Sequence, residues 1–163
     1  MANISPTIPS PMSGTRSALA QFIAAQRPSL ALTLCWNDPI TPARARIDLR
    51  ALHARLDRRL FGKRFNARPA AARVWFVAAL ENLKANGHAH LAVRVPHGHQ
   101  DAFVDLVNGF PSIWRSLVTR GSHDLQPIEC VMRWAAYATK DVTSLVDEWL
   151  LSDEFLPAHV KAG

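Results

Sequence analysis

Between Arg73 and Val95 the chain carries two strand-like segments back to back. Arg73 to Leu83 is rich in apolar and aromatic residues and reads as a buried strand, while Gly87 to Val95 alternates between polar and apolar positions. Asn86-Gly87 between them suits a two-residue hairpin turn. An isolated hairpin is marginal in water, so its apolar face needs more strands and a covering layer. The flanking segments supply both. Leu30, Leu32, Leu34 and Trp36 alternate with the smaller Ala31, Thr33 and Cys35, as on a strand with one bulky face and one that leaves room above the sheet. Thr41-Pro42 then offers an N-cap and a first-turn proline, followed by Leu49, Leu52, Leu56 and Leu60 at helical spacing up to Phe61-Gly62.

Further along, Gln100 to Val107 reads as helix, Pro111 to Arg120 fits a strand or a short helix, and His123 to Ile128 follows Gly121-Ser122 as a strand. Glu129 to Lys140 is helical by pattern, and a second, acidic helix is predicted over Thr143 to Leu151. The fold class expected is α+β: a central, mainly antiparallel sheet of about five strands with helices packed on it. A chain of 163 residues with 48% hydrophobic residues can bury one real core, which excludes global disorder and a two-domain machine. The expected organisation is a disordered tail over 1–14, one domain over 15–152 opening with a short helix from Thr15 to Gln26, and a C-terminal tail over 153–163. With no run of roughly 20 apolar residues and no basic-then-apolar leader, neither a membrane span nor export is expected. Cys35 and Cys130 lack metal-type spacing and read as reduced core residues, so the cytoplasm is the expected compartment.

Charge is unevenly distributed. Residues 1–121 carry 16 Lys+Arg against 6 Asp+Glu, whereas residues 122–163 carry 3 against 7. The densest block, Arg44 to Arg73, holds nine arginines and Lys63 opposed by Asp48 and Asp57. Such a patch suits a polyanion, nucleic acid first, although a merely solvated basic helix would look the same by charge alone. The arginines Arg44, Arg46, Arg50, Arg55, Arg58 and Arg59 lie on the helix that starts at Pro42 and form the candidate surface for DNA phosphates.

Two features carry chemistry. On an alternating strand His88, His90, Ala92 and Arg94 share one face and Ala89, Leu91, Val93 and Val95 the other, so the two imidazoles point away from the core. A hairpin centred on Asn86-Gly87 opposes Ala92 to Glu81, which places Glu81 on the histidine face, diagonal to His90. Two imidazoles and a carboxylate suit a divalent ion, Mg²⁺ or Mn²⁺, that also touches a substrate oxygen. The other His-x-His, His97-Gly98-His99, has no carboxylate predicted beside it. The second feature is Tyr137, the sole tyrosine, with Arg133 one turn before it and Lys140, one of 4 lysines, one turn after. Read singly, these are also what two surface histidines and a boundary aromatic would look like.

Together, His88-Ala89-His90 on a strand, Glu81 seven residues upstream, and Tyr137-Ala138-Thr139-Lys140 on a helix resemble the HUH endonucleases. The closest likeness is to the single-tyrosine replication initiators of rolling-circle plasmids, phages and small single-stranded DNA viruses. Leu32-Thr33-Leu34 is similar to that family's less specific first motif, so the resemblance spans residues 30–140. It differs from relaxases, which usually have three histidines and an N-terminal tyrosine, and from the small transposases, which commonly have glutamine where Lys140 stands. The resemblance implies metal-dependent nicking of single-stranded DNA, with Tyr137 as nucleophile, Lys140 assisting, Glu81, His88 and His90 as metal ligands, and Arg133 as a further DNA contact. Lacking a GxxxxGK[ST] loop, the chain is expected to rely on a separate helicase, and with one tyrosine to form transient homo-oligomers. The rival expectation is a catalytically inactive basic DNA-binding module derived from such an enzyme; a third is an α+β interaction protein that binds acidic partners.

Overall fold

A computed structural model describes residues 11–140 and 149–157. Five antiparallel strands form one sheet: β1 (Leu30–Cys35), β2 (Trp75–Glu81), β3 (His88–Arg94), β4 (Ser122–Pro127) and β5 (Trp149–Leu151), in the spatial order β4-β1-β3-β2-β5. Four helices pack on it: α1 (Pro11–Ala25), α2 (Pro42–Phe61), α3 (Gln100–Asn108) and α4 (Val131–Ala138). This is the α+β architecture expected. Among the described residues no helix is long and apolar enough to cross a membrane.

Alternation along each strand divides the molecule into two cores. Leu32 and Leu34 of β1, Phe76, Ala78 and Leu80 of β2, and Ala89, Leu91 and Val93 of β3 point to one side. There they bury Leu49, Leu52 and Leu56 of α2 and Phe103 of α3. Each such leucine contributes roughly 1.5–3 kcal/mol by leaving water, which makes this the main core. On the other side Val77, Ala79 and Ala92, flanked by Trp75 and Trp149, meet Ala20 and Ile23 of α1 and Ala135 and Ala138 of α4. Small residues here let α4 lie close to the sheet.

Thr41 caps α2 by accepting from the Arg44 amide at 3.2 Å, with Pro42 in the first turn, and Gly62 at φ 80° ends it in the left-handed region. A buried network ties α2 to the start of β2. Asp57 accepts from Arg73 Nε at 2.7 Å and from the Val74 amide at 3.1 Å, and His53 Nε2 donates to the Val74 carbonyl at 2.8 Å.

Several expectations are corrected. The two hairpin strands shorten by one or two residues at each end, the first strand loses Trp36, and the strand predicted over His123 to Ile128 moves one residue earlier; Arg73, predicted as strand, instead turns into the core to meet Asp57. The first helix starts at Pro11, not Thr15, because proline is at ease in a first turn; residues 1–10 of the predicted tail lie outside the described residues. Pro111 to Arg120 is neither strand nor helix but a series of turns that bury Ser112, Ile113 and Trp114, with Trp114 Nε1 donating to the Cys35 carbonyl at 3.0 Å. The predicted helix over Thr143 to Leu151 is contradicted at its end: Trp149–Leu151 is a strand paired to β2. Trp149 and Leu151 face one core and Leu150 the other, so a two-residue period fits where a helical one does not, and β2 is spared an open edge. Residues 141–148 of that prediction lie outside the described residues. The predicted C-terminal tail begins instead as a 3₁₀ turn, Ser152–Phe155, whose Ser152 Oγ accepts from the Phe76 amide at 2.9 Å; residues 158–163 lie outside the described residues. Cys130 is exposed, not core, because it precedes the first turn of α4 and misses its buried stripe; Cys35 is half-buried.

Candidate functional site

The hairpin register differs from the one expected, and the difference tightens the site. Glu81 lies directly opposite His88, and Ala79 opposite His90. The loop is longer than two residues because Asn82, at φ 54°, turns the chain out of β2, and the loop then docks on the segment after β1. There the Ile40 amide donates to the Leu83 carbonyl at 2.8 Å and the Gly87 amide to the Asp38 carbonyl at 3.1 Å. Gly87 is required for closeness rather than for turn geometry: a Cβ on it would overlap Ile40 Cγ2. Relative to the expected pairing the register moves by four residues, an even number, so every side chain keeps its face.

On that face Glu81 Oε2 is 3.2 Å from His88 Nε2 and 2.9 Å from His90 Nε2. The three residues are the one group among the described residues with metal-ligating geometry, their donor atoms within 4.8 Å of one another. Adjacent ligands of an octahedral ion with bonds of about 2.1 Å are separated by ~3.0 Å, so the two nitrogen–oxygen distances match edges of such a shell.

The outer partners of the imidazoles sharpen the fit. His88 Nδ1 is 3.0 Å from the Asn86 carbonyl, which only accepts, so Nδ1 holds the proton and a neutral His88 presents the Nε2 lone pair to the Glu81 carboxylate. Two lone-pair carriers in contact call for a cation or a proton between them. His90 Nδ1 meets Thr33 Oγ1 at 3.1 Å. A hydroxyl both donates and accepts, so Thr33 suits either tautomer: His90 can donate to Glu81, or turn its Nε2 lone pair to an ion. Burial pushes the His90 imidazole below its ordinary range despite the hydrogen bond to Glu81, which favours the neutral, ligating form. Burial alone would raise the Glu81 carboxyl, but the hydrogen bond to His90 and the charge of Lys140 hold it below the usual range, ionised.

The helix α4 brings the other two predicted residues to the same face. The Tyr137 ring packs edge-on against His90, centroids 5.6 Å apart, and Tyr137 is 53% exposed, open to a large substrate. Lys140 Nζ lies 4.4 Å from the centre of the Tyr137 ring and 3.6 Å from Glu81 Oε1. Arg133 and Tyr137 line one cleft of about 370 Å³ that runs along α4 beside Trp134. Glu81, His88, His90, Tyr137, Lys140 and Arg133 are therefore brought together on one face.

The remaining predicted DNA contacts are not. Arg44, Arg46, Arg50, Arg55, Arg58 and Arg59 sit on α2, across the sheet from the cluster. Four are engaged within the chain: Arg44 with Asp48 at 3.0 Å, Arg46 with Glu154, Arg50 over the Phe155 ring at 5.6 Å, and Arg55 with Ser116 Oγ at 2.8 Å. Thr33 is a contributor that the reading of chemical residues passed over, although it is the one hydroxyl on the small face of β1. His97 and His99 are in the loop before α3, His99 packed edge-on against Phe61 and distant in role from any carboxylate cluster. Compared with protein-family models, curated proteins and solved structures, the chain has no match in any of the three.

Proposed function

We propose that this protein nicks and rejoins single-stranded DNA by transesterification, the reaction that begins rolling-circle replication or transfer of a plasmid, phage or mobile element. The observation that carries the reading is the convergence of a carboxylate and two imidazoles with the sole tyrosine and Lys140 over one face of the sheet. Held by Glu81, His88 and His90, a divalent ion such as Mg²⁺ or Mn²⁺ would polarise a non-bridging oxygen of the scissile phosphate. The Tyr137 oxygen forms the new bond to phosphorus as the bond to the 3′ oxygen breaks. The products are a 5′-phosphotyrosine and a 3′-OH; the phenolic proton passes to water and the departing oxygen takes one up. The ammonium of Lys140, beside the Tyr137 ring, holds the scissile phosphate for attack. His88 and His90 act as ligands, since each ring's other nitrogen is occupied by Asn86 or Thr33. Arg133, in the cleft that reaches Tyr137, holds a neighbouring phosphate. The α2 arginines engage origin DNA from the far side of the sheet, a separate helicase unwinds the duplex, and the second strand transfer proceeds either by reversal from the 3′-OH or with a tyrosine from a second copy.

Incubating a labelled single strand with Mn²⁺ should yield a covalent protein–DNA adduct that Tyr137→Phe abolishes. An adduct that survives Tyr137→Phe would overturn the assignment of the nucleophile. No adduct from the wild-type chain, with DNA still bound, would leave the inactive binding module in its place.

A further inference from the structure

On the far side of the sheet the last turns of α2 face the turn region after α3, and the two enclose a cavity of about 570 Å³. Arg55, Arg58 and Arg59 line it together with Phe110 and Ser116. The three arginines differ from those upstream on the same helix. Arg44 and Arg46 are each paired with a carboxylate, whereas no carboxylate of the described residues pairs with Arg55, Arg58 or Arg59. Arg55 is held in place by Ser116, Nη1 donating to its Oγ at 2.8 Å and to its carbonyl at 3.3 Å. At the mouth stands Phe110, 96% exposed, the most exposed large apolar side chain among the described residues. Its ring supports nothing in the core, so its apolar face is available to a ligand.

Three uncompensated guanidinium groups beside a bare aromatic ring have the chemistry of a single-stranded nucleic-acid subsite: phosphates on the cations, a base stacked on the ring. The volume accommodates one or two nucleotides. We propose that this cavity binds a single-stranded segment of DNA, with one base stacked on Phe110 and its flanking phosphates on Arg55, Arg58 and Arg59. It lies on the opposite face from Glu81, His88 and His90, so the segment it holds is not the one being cut. The proposal rests on DNA being the partner in the nicking reading but not on cleavage, and the two fail separately.

The test uses the full chain carrying Tyr137→Phe, in chelator, so that neither covalent capture nor the metal cluster contributes. A fluorescein-labelled oligothymidylate 12-mer is titrated by anisotropy, with inorganic polyphosphate as a probe that has charge but no base. Phe110→Ala should weaken the 12-mer by about 5- to 150-fold, the range of one lost stacking partner, and leave polyphosphate unchanged; Phe110→Trp should restore the 12-mer. The Arg58→Gln, Arg59→Gln double variant should weaken both probes and reduce the salt slope for the 12-mer by about 1.4, near 0.7 for each phosphate contact removed. All these side chains are exposed, so their replacement does not threaten the fold. A 12-mer affinity within twofold of the parent after Phe110→Ala would overturn the proposal and reduce the cavity to an anion patch. So would an arginine double variant that leaves the 12-mer unaffected. Failure of the nicking reading has its own signature, absence of the Mn²⁺-dependent adduct from the unsubstituted chain, whatever Phe110 does.

Discussion

A carboxylate with histidine lies on each side of the sheet, one pair on α2 and one set on β2 and β3, and the two clusters behave as opposites. On the main-core side, His53 and Asp57 are 2% and 0% exposed by side chain. The Asp57 oxygens are taken up by Arg73 Nε and the Val74 amide, and His53 is spent on the Val74 carbonyl. Both Asp57 oxygens and His53 Nε2 are used within the chain, and Arg73 Nη1 alone of the network's donors stays buried without a partner among the described residues. On the other side Glu81, His88 and His90 are 27%, 21% and 11% exposed, and both imidazole Nε2 atoms aim at one oxygen. Asn86 and Thr33 orient the rings from behind, so the atoms left over converge on a point open to solvent. The same residue types thus become a strut or a ligand set according to whether backbone partners use up their donors.

The contrast can be broken by four measurements. Asp57→Ala should cost the most, about 3–5 kcal/mol in denaturant unfolding, because it strands the buried Arg73 guanidinium and the Val74 amide, yet folded protein should bind Mn²⁺ as before by calorimetry. A lowered Mn²⁺ affinity in that folded variant would mean the two faces are coupled. Glu81→Ala should do the reverse, weakening Mn²⁺ by more than about 100-fold while the unfolding midpoint stays near that of the parent. Thr33→Val sits between them: it leaves His90 Nδ1 without its hydroxyl and should weaken Mn²⁺ by about 10-fold, with His88 still in place. Retained affinity would show that His90 needs no outer partner.

The smallest effect expected is that of pH on stability. Burial holds His53 below the ordinary histidine value of about 6.5, so between its folded value and that of the unfolded chain the unfolded state binds the extra proton. The stability it contributes is therefore complete above about pH 6.5 and is lost as pH falls through the folded value. One such group gives at most about 1.4 kcal/mol per pH unit. His90 and His123 are depressed in the same direction by burial and add to the slope. His53→Gln should flatten the fall of the thermal midpoint below about pH 6.5 without abolishing it; an unchanged profile would remove His53 from the account.

Much of the site was legible because a strand's two-residue period is strict. Alternation set His88 and His90 on the face away from Leu91 and Val93, the hairpin pairing put Glu81 beside them, and an even error of four in that pairing left the shared face unchanged. The pairing itself was not legible: Asn86-Gly87 suits a tight turn locally, but the docking of Leu83 and Gly87 on Ile40 and Asp38 draws the chain into a longer loop. Trp149–Leu151 misled for a related reason, since three apolar residues in a row fit either period and only the open edge of β2 selects the strand. What the sequence alone determined is therefore everything that depends on near neighbours: the caps of α2, the facing of strand residues, and the cationic character of α2. Which face each helix covers was decided by tertiary packing. The small residues Ala79 and Ala92 admit α4 and bring Tyr137 against His90, while the large side chains opposite hold α2 and its arginines on the other side. That choice depends on how residues tens of positions apart fill a shared volume, which no local period encodes.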